Sequence, residues 1–159
     1  MYKYILFIVA CISLFGSCLS EPTFDLVPHI EFESMTKNRM NQTTPSTQDS
    51  TLTTIYFEDG DGDIGGDDLT IFVVDTRTGI ADFQYRIAEI EIVGVANAIS
   101  GTIAFPILSS CCIYDSGQVP CTPSVPLIMQ DVVYEIYIKD RAGNESNRIE
   151  LTPITLVCQ

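Results

Sequence analysis

An all-β domain is the fold class that this chain of 159 residues predicts, and three observations carry the prediction. After residue 50, apolar residues recur with a period of two almost everywhere. No window of useful length shows the 3.6-residue period of an amphipathic helix. Clusters of Gly, Pro, Asn and Asp interrupt the alternation at intervals that suit short strands joined by turns.

The elements follow in order from residue 28, where the domain is expected to begin and from which it extends to residue 159. His29 to Glu33 alternates with Ile30 and Phe32 on one face and predicts a first strand. Thr36 to Ser50 is rich in Asn, Gln, Thr and Ser and reads as a loop. Its Asn41-Gln42-Thr43 matches a glycosylation sequon by coincidence, given the bacterial signal described below. Thr53, Ile55 and Phe57 share the face of the next strand. Leu69 to Val74 is apolar on both faces, as a central strand is. Phe83, Tyr85 and Ile87 share a face, and the phase then flips to Ala88, Ile90 and Ile92, which implies a bulge or a break. Ile103, Phe105 and Ile107 form another strand face, and Val132, Tyr134, Ile136 and Ile138 form one more. In the last segment Ile149 and Leu151 are separated from Ile154 and Leu156 by Pro153, which points to an edge strand or a bulge. About seven strands of this kind predict an immunoglobulin-like antiparallel β-sandwich, with a small β-barrel as the alternative.

Residues 1–17 stand apart. Lys3 precedes an uncharged apolar run from Tyr4 to Phe15, the layout of a bacterial export signal. The run is shorter than the roughly 20 residues that cross a bilayer. Phe15-Gly16-Ser17-Cys18 resembles a lipobox, with Phe15 in place of the more usual Leu, Val or Ile. Ile8-Val9-Ala10-Cys11 fits by residue type but leaves too short an apolar segment ahead of it. Cys18 is therefore the expected lipidation site, residues 18–27 the tether, and an outer-membrane lipid surface the first partner. The single acid Glu21 behind the cysteine leans towards the cell surface and leaves the periplasmic face open.

Removing residues 1–17 from the 159 leaves 142, enough for one domain with a core. Without Lys3, 7 basic residues face 21 acidic ones, a formal charge of −14. Such a chain has no electrostatic route to nucleic acid and is repelled by anionic headgroups. Its charge suits cation binding or solubility.

Beyond Cys11 and Cys18, the cysteines are Cys111, Cys112, Cys121 and Cys158. An even number in an exported chain predicts two disulfides. A bridge between Cys111 and Cys112 is strained, so one of them is expected to pair with Cys121 and the other with Cys158. Zinc is the rival reading, but the spacing lacks a C-x2-C pair. Ser109 to Pro126 then reads as a long loop pinned by these bridges.

Asp59-Gly60-Asp61-Gly62-Asp63-Ile64-Gly65-Gly66-Asp67-Asp68 is the richest segment chemically, with five carboxylates and four glycines in ten residues. Like charges at this density point either to a hard cation, since Ca2+ takes six to eight oxygen ligands from flexible loops, or to a solvated turn, since Asp-Gly pairs are also the strongest hairpin signal. Asp59, Asp61 and Asp63 fit the first three acidic positions of an EF-hand, but Ile64 and Thr70 occupy its Gly and Glu positions. The flanks are strands, so the loop is not an EF-hand. A second segment, Asp140 to Asn147, reads as a hairpin turn with Gly143 in its left-handed position. In an immunoglobulin-like sandwich two such loops emerge at the same end. The candidate Ca2+ ligands are accordingly Asp59, Asp61, Asp63, Asp67 and Asp68, with Asp140 and Asn144 completing the site.

The lipobox-like signal, Pro28-His29-Ile30, Tyr56-Phe57-Glu58-Asp59-Gly60-Asp61-Gly62-Asp63-Ile64-Gly65 and Asp140-Arg141-Ala142-Gly143-Asn144-Glu145-Ser146-Asn147 together resemble a family of small outer-membrane lipoproteins of Gram-negative bacteria. The resemblance covers nearly the whole mature chain. It implies a β-sandwich at the outer membrane, docked beside a barrel or lipoprotein complex as an accessory subunit, and it implies no activity. The expected function is that of a non-catalytic structural lipoprotein. A Ca2+-dependent glycan- or ligand-binding module is the alternative, weakened by the absence of Trp and the scatter of Tyr56, Tyr114 and Tyr137. Catalysis is not expected, because His29 is the only histidine and no serine sits in a nucleophile elbow.

Overall fold

The computed structural model describes residues 23–90, 98–114 and 117–159. The lipidation site expected at Cys18, the signal segment before it and the strand position expected at Ile92 lie outside these residues. The described residues hold ten β segments and no helix. They are β1 (His29–Met35), β2 (Arg39–Asn41), β3 (Ser50–Asp59), β4 (Ile71–Asp75), β5 (Ile80–Tyr85), β6 (Ile99–Leu108), β7 (Ile128–Val132), β8 (Tyr134–Ile138), β9 (Ile149–Glu150) and β10 (Ile154–Cys158).

The segments form three sheets with orders β1-β3-β6, β5-β4-β8-β9 and β2-β10-β7. None closes into a barrel, and the arrangement is a β-sandwich. Three consecutive pairs are single strands with an interruption: β1 with β2, β7 with β8, and β9 with β10. Counted that way the ten segments are seven strands. The interrupted hairpin of β7–β8 against β9–β10 joins the second sheet to the third.

The sequence predicts one strand over Val132, Tyr134, Ile136 and Ile138, and the break at Val133 is a correction. Val132 pairs with Ile154, while Tyr134 accepts a bond from the Leu151 amide. Thr152 and Pro153 therefore oppose the single Val133. Pro153 has no N–H to give, so the ladder opens into a bulge. The Val133 carbonyl bonds instead to the amide and hydroxyl of Thr76.

Other elements differ from expectation for similar local reasons. The segment predicted as a Thr36–Ser50 loop contains β2, which pairs parallel with β10 and is the one departure from antiparallel order among the described strands. Polar composition hid it, since only Met40 of its three residues is buried. β4 is central, between β5 and β8, but it starts at Ile71 and its burial alternates. Leu69 stays exposed. The expected strand at Ala88 and Ile90 does not form, because the carbonyls of Ile87 and Ala88 turn towards the glycines of the acidic loop.

Ile30, Ile55, Phe57, Phe105 and Ile107 line the inner face of the first sheet. Ile71, Val73, Tyr134, Ile136 and Ile138 line that of the second, and all are buried. Alternation places them there, because successive side chains point to opposite faces. Cys111 is bonded to Cys121 and Cys112 to Cys158, with Cα separations of 4.6 and 5.8 Å. These bridges close the end of the sandwich remote from the acidic loop. Beside them the buried Gln42 donates to the carbonyls of Thr122 and Gln159 and accepts from the Cys112 amide.

Candidate metal centre

The acidic loop joins β3 to β4. His29 pairs with Glu58, Asp59 with Ile99 and Ile71 with Ile138. The start of β1, the end of β3, the start of β6 and the tip of the β8–β9 hairpin therefore meet at one end. The loop is not a free-standing turn. Ile64 is 1% exposed and enters the core, so it pins the middle of the loop. The Gly60 amide donates to the Asp25 carbonyl at 2.8 Å. A Cβ at Gly60 would lie 2.6 Å from the Phe24 carbonyl oxygen, so only glycine admits this approach. Gly65 has φ +92° and would set a Cβ 2.6 Å from the Ala88 carbonyl oxygen.

Asp59, Asp61 and Asp63 bring one carboxylate oxygen each to within 4.8 Å of one another. Asp59 is fully buried. Its Oδ2 accepts from the Asp63 amide at 2.9 Å, and Asp63 Oδ2 accepts from the Ala142 amide at 3.0 Å. Backbone amides thus fix two of the carboxylates by one oxygen. The Oδ1 atoms of all three are buried and have no hydrogen-bond partner. A buried, unpaired carboxylate oxygen costs more than a neutral polar atom, and a bound proton or a counter-charge relieves that cost.

Electrostatics give the same picture. Burial pushes the Asp59 carboxyl up to about 6, with Asp61, Asp63 and Asp140 adding like-charge repulsion against the bond from the Asp63 amide. Burial likewise raises Asp63, helped by Asp140 and Asp61. The fold therefore holds these acids where their charge is disfavoured.

The two loops converge. The Arg141 amide donates to the Asp63 carbonyl at 3.2 Å, beside the Ala142 bond. Asp140 is buried next to the cluster, but both of its oxygens accept from Asn144, from the amide and from Nδ2, each at 2.7 Å. Asp140 and Asn144 therefore brace the hairpin and stand outside the three-carboxylate group. Asp67 and Asp68 also stand outside it, exposed on the last turn of the loop. Arg141 turns its guanidinium to Glu89 at 2.8 Å.

No family model, curated protein or solved structure matches this chain. The site is thus read from its own atoms. A hard divalent cation fits the donor set, which is all oxygen and supplies three negative charges.

Sequence reasoning missed three parts of this end. The anchoring role of Ile64 was legible only as an apolar residue among acids. The amides of Arg141 and Ala142 carry no side-chain signal. The role of Asn147 was hidden in a turn-like composition: its Oδ1 accepts from the Ile30 amide at 2.8 Å and its Nδ2 donates to the Ile30 carbonyl at 2.9 Å. It acts as a surrogate strand that latches the hairpin to β1. A second buried polar group went unread. Asp75 binds Arg77 through both oxygens, and Ser110 links Arg77 to Tyr134, whose hydroxyl burial drives to about 12.

Proposed function

We propose that this chain is a non-catalytic lipoprotein, anchored through Cys18, whose acidic end binds Ca2+ through Asp59, Asp61 and Asp63. One observation carries the cation: a fully buried Asp59 whose Oδ1 has no partner, beside two further unpaired carboxylate oxygens. The glycine-bearing loop can adjust to the six to eight ligands of Ca2+, whereas Mg2+ demands a near-ideal octahedron and keeps its waters. The ion joins the β3–β4 loop, which already touches the N-terminal segment at Asp25 and the hairpin at Ala142. Its role is to stiffen this end.

The bridged cysteines leave no thiol nucleophile among Cys111, Cys112, Cys121 and Cys158. The His29 side chain is exposed and lies 3.6 Å from the exposed Glu31 carboxylate. The reading is therefore of a scaffold docking on an outer-membrane barrel or lipoprotein complex.

Calorimetric titration of the chelator-treated protein with Ca2+ tests the site. Saturable heat is expected in the wild type and absent in Asp59→Asn. A wild-type protein that shows neither heat nor a rise in melting temperature would sink the cation. Metabolic labelling with a fatty acid, lost in Cys18→Ser, tests the anchor, and co-purification of a barrel protein after gentle detergent extraction tests the partner.

A further inference from the structure

We infer that the acidic end is itself a membrane-contacting surface, seated on the lipid that holds the anchor when its cation site is filled. This rests on the anchored, Ca2+-binding reading above.

The path of the chain carries the inference. Residues 23–28 run into β1 at the acidic end, held by the bond between Gly60 and Asp25. From Cys18 to Phe24 the chain has six residue steps, which reach at most about 20 Å even fully extended. An anchor at Cys18 therefore keeps this end near the bilayer and directs the disulfide-closed end away from it.

The surface there is suited to a lipid interface. Leu26 and Val27, beside Asp25 on the segment that Gly60 holds, and Leu69, at the loop's exit, are 60%, 45% and 41% exposed and give this end apolar side chains at its rim. Large apolar side chains exposed beside a lipid anchor gain by entering the headgroup boundary. What opposes contact is charge. Asp67 and Asp68 are exposed next to Leu69, and the cluster adds three more carboxylates behind them. Anionic headgroups repel such a surface. A bound divalent cation cancels two of those charges at the place where the apolar rim approaches the lipid. The occupant is thus the bilayer surface, and the cation decides whether it is occupied.

The chain contains no Trp, so a single introduced Trp reports its own site. The full lipidated protein is reconstituted into vesicles of phosphatidylethanolamine and phosphatidylglycerol with brominated acyl chains, and Leu69→Trp is compared with Val125→Trp at the far end. Leu69→Trp is expected to lose most of its fluorescence to the brominated lipid in Ca2+ and to regain it in chelator. Val125→Trp, 96% exposed in the wild type as Val125, is expected to stay unquenched in both. Leu26→Trp reads the same end if Leu69→Trp misfolds. Unquenched Leu69→Trp and Leu26→Trp in a sample that still binds Ca2+ by calorimetry overturn the docking and leave the metal site standing. Quenching that persists unchanged in chelator overturns the cation dependence. A sample with no Ca2+ heat and no quenching overturns both.

Discussion

At the residue scale, Asp59 decides the behaviour of the acidic end. In the unfolded chain its carboxyl ionises near 3.8, and in the cation-free fold near 6. Between these values the fold binds more protons than the unfolded chain does. The stability this group contributes is therefore fully present below about 4 and is lost as pH rises through about 6. Other acids titrate in the same range, so the contribution is isolated by comparison with Asp59→Asn. In chelator the difference in melting temperature between Asp59→Asn and wild type should widen in favour of the variant from pH 4 to pH 7. In saturating Ca2+ at pH 7 the order should reverse, because the variant loses a charged ligand. Protons and the cation compete for the same oxygens, so wild-type Ca2+ affinity should fall as pH drops below about 6. Isothermal titrations at pH 7.5 and pH 5 check this, and an affinity that does not weaken at pH 5 counts against ligation by Asp59.

At the element scale, the loop and the hairpin are built by contacts that no local pattern announces. Replacing Ile64 with Ala removes its buried side chain from under the loop and should cost about 2–5 kcal/mol by urea unfolding. It should also weaken Ca2+ binding, which a surface loop with no core anchor would not show. The bridges act on the other end. Cys112 and Cys158 are 46 residues apart and Cys111 and Cys121 are 10 apart. Loop-closure entropy then predicts losses of about 4 kcal/mol for the double alanine variant of the first pair and about 3 kcal/mol for the second. Urea midpoints of the two variants check the order. The period-two alternation made β1, β3, β6 and β8 legible, and a continuous apolar run marked β4. It could not reveal β2, whose pairing depends on a strand more than a hundred residues later. Nor could it reveal the bulge at Val133, which keeps the alternation intact while moving the chain from one sheet to the next. Asp59, Asp61 and Asp63 were legible as a candidate cluster because their spacing puts glycines between carboxylates. Asp67 and Asp68 share that composition, yet they follow Gly66, after which the loop has already turned outward.

At the scale of the whole molecule, the balance is between a packed sandwich and a formal net charge of −13 on the chain. That charge repels itself and disfavours the compact state, and much of it is concentrated at one end. Monovalent salt should therefore stabilise the cation-free protein modestly by screening. A bound cation acts differently, by mass action on the folded state alone. Once Ca2+ exceeds its dissociation constant, each further tenfold rise should add about 1.4 kcal/mol of stability. Thermal scans at fixed ionic strength, with Ca2+ varied against a NaCl background, separate the two effects. Screening predicts a small, saturating shift that Na+ reproduces at equal ionic strength. Site binding predicts a melting temperature that keeps rising with the logarithm of Ca2+, that Na+ does not imitate, and that disappears in Asp59→Asn. A Ca2+ response reproduced by NaCl would mean that the acidic end is only a charged surface, and a bound proton or another counter-charge would then have to relieve the unpaired oxygens of Asp59, Asp61 and Asp63.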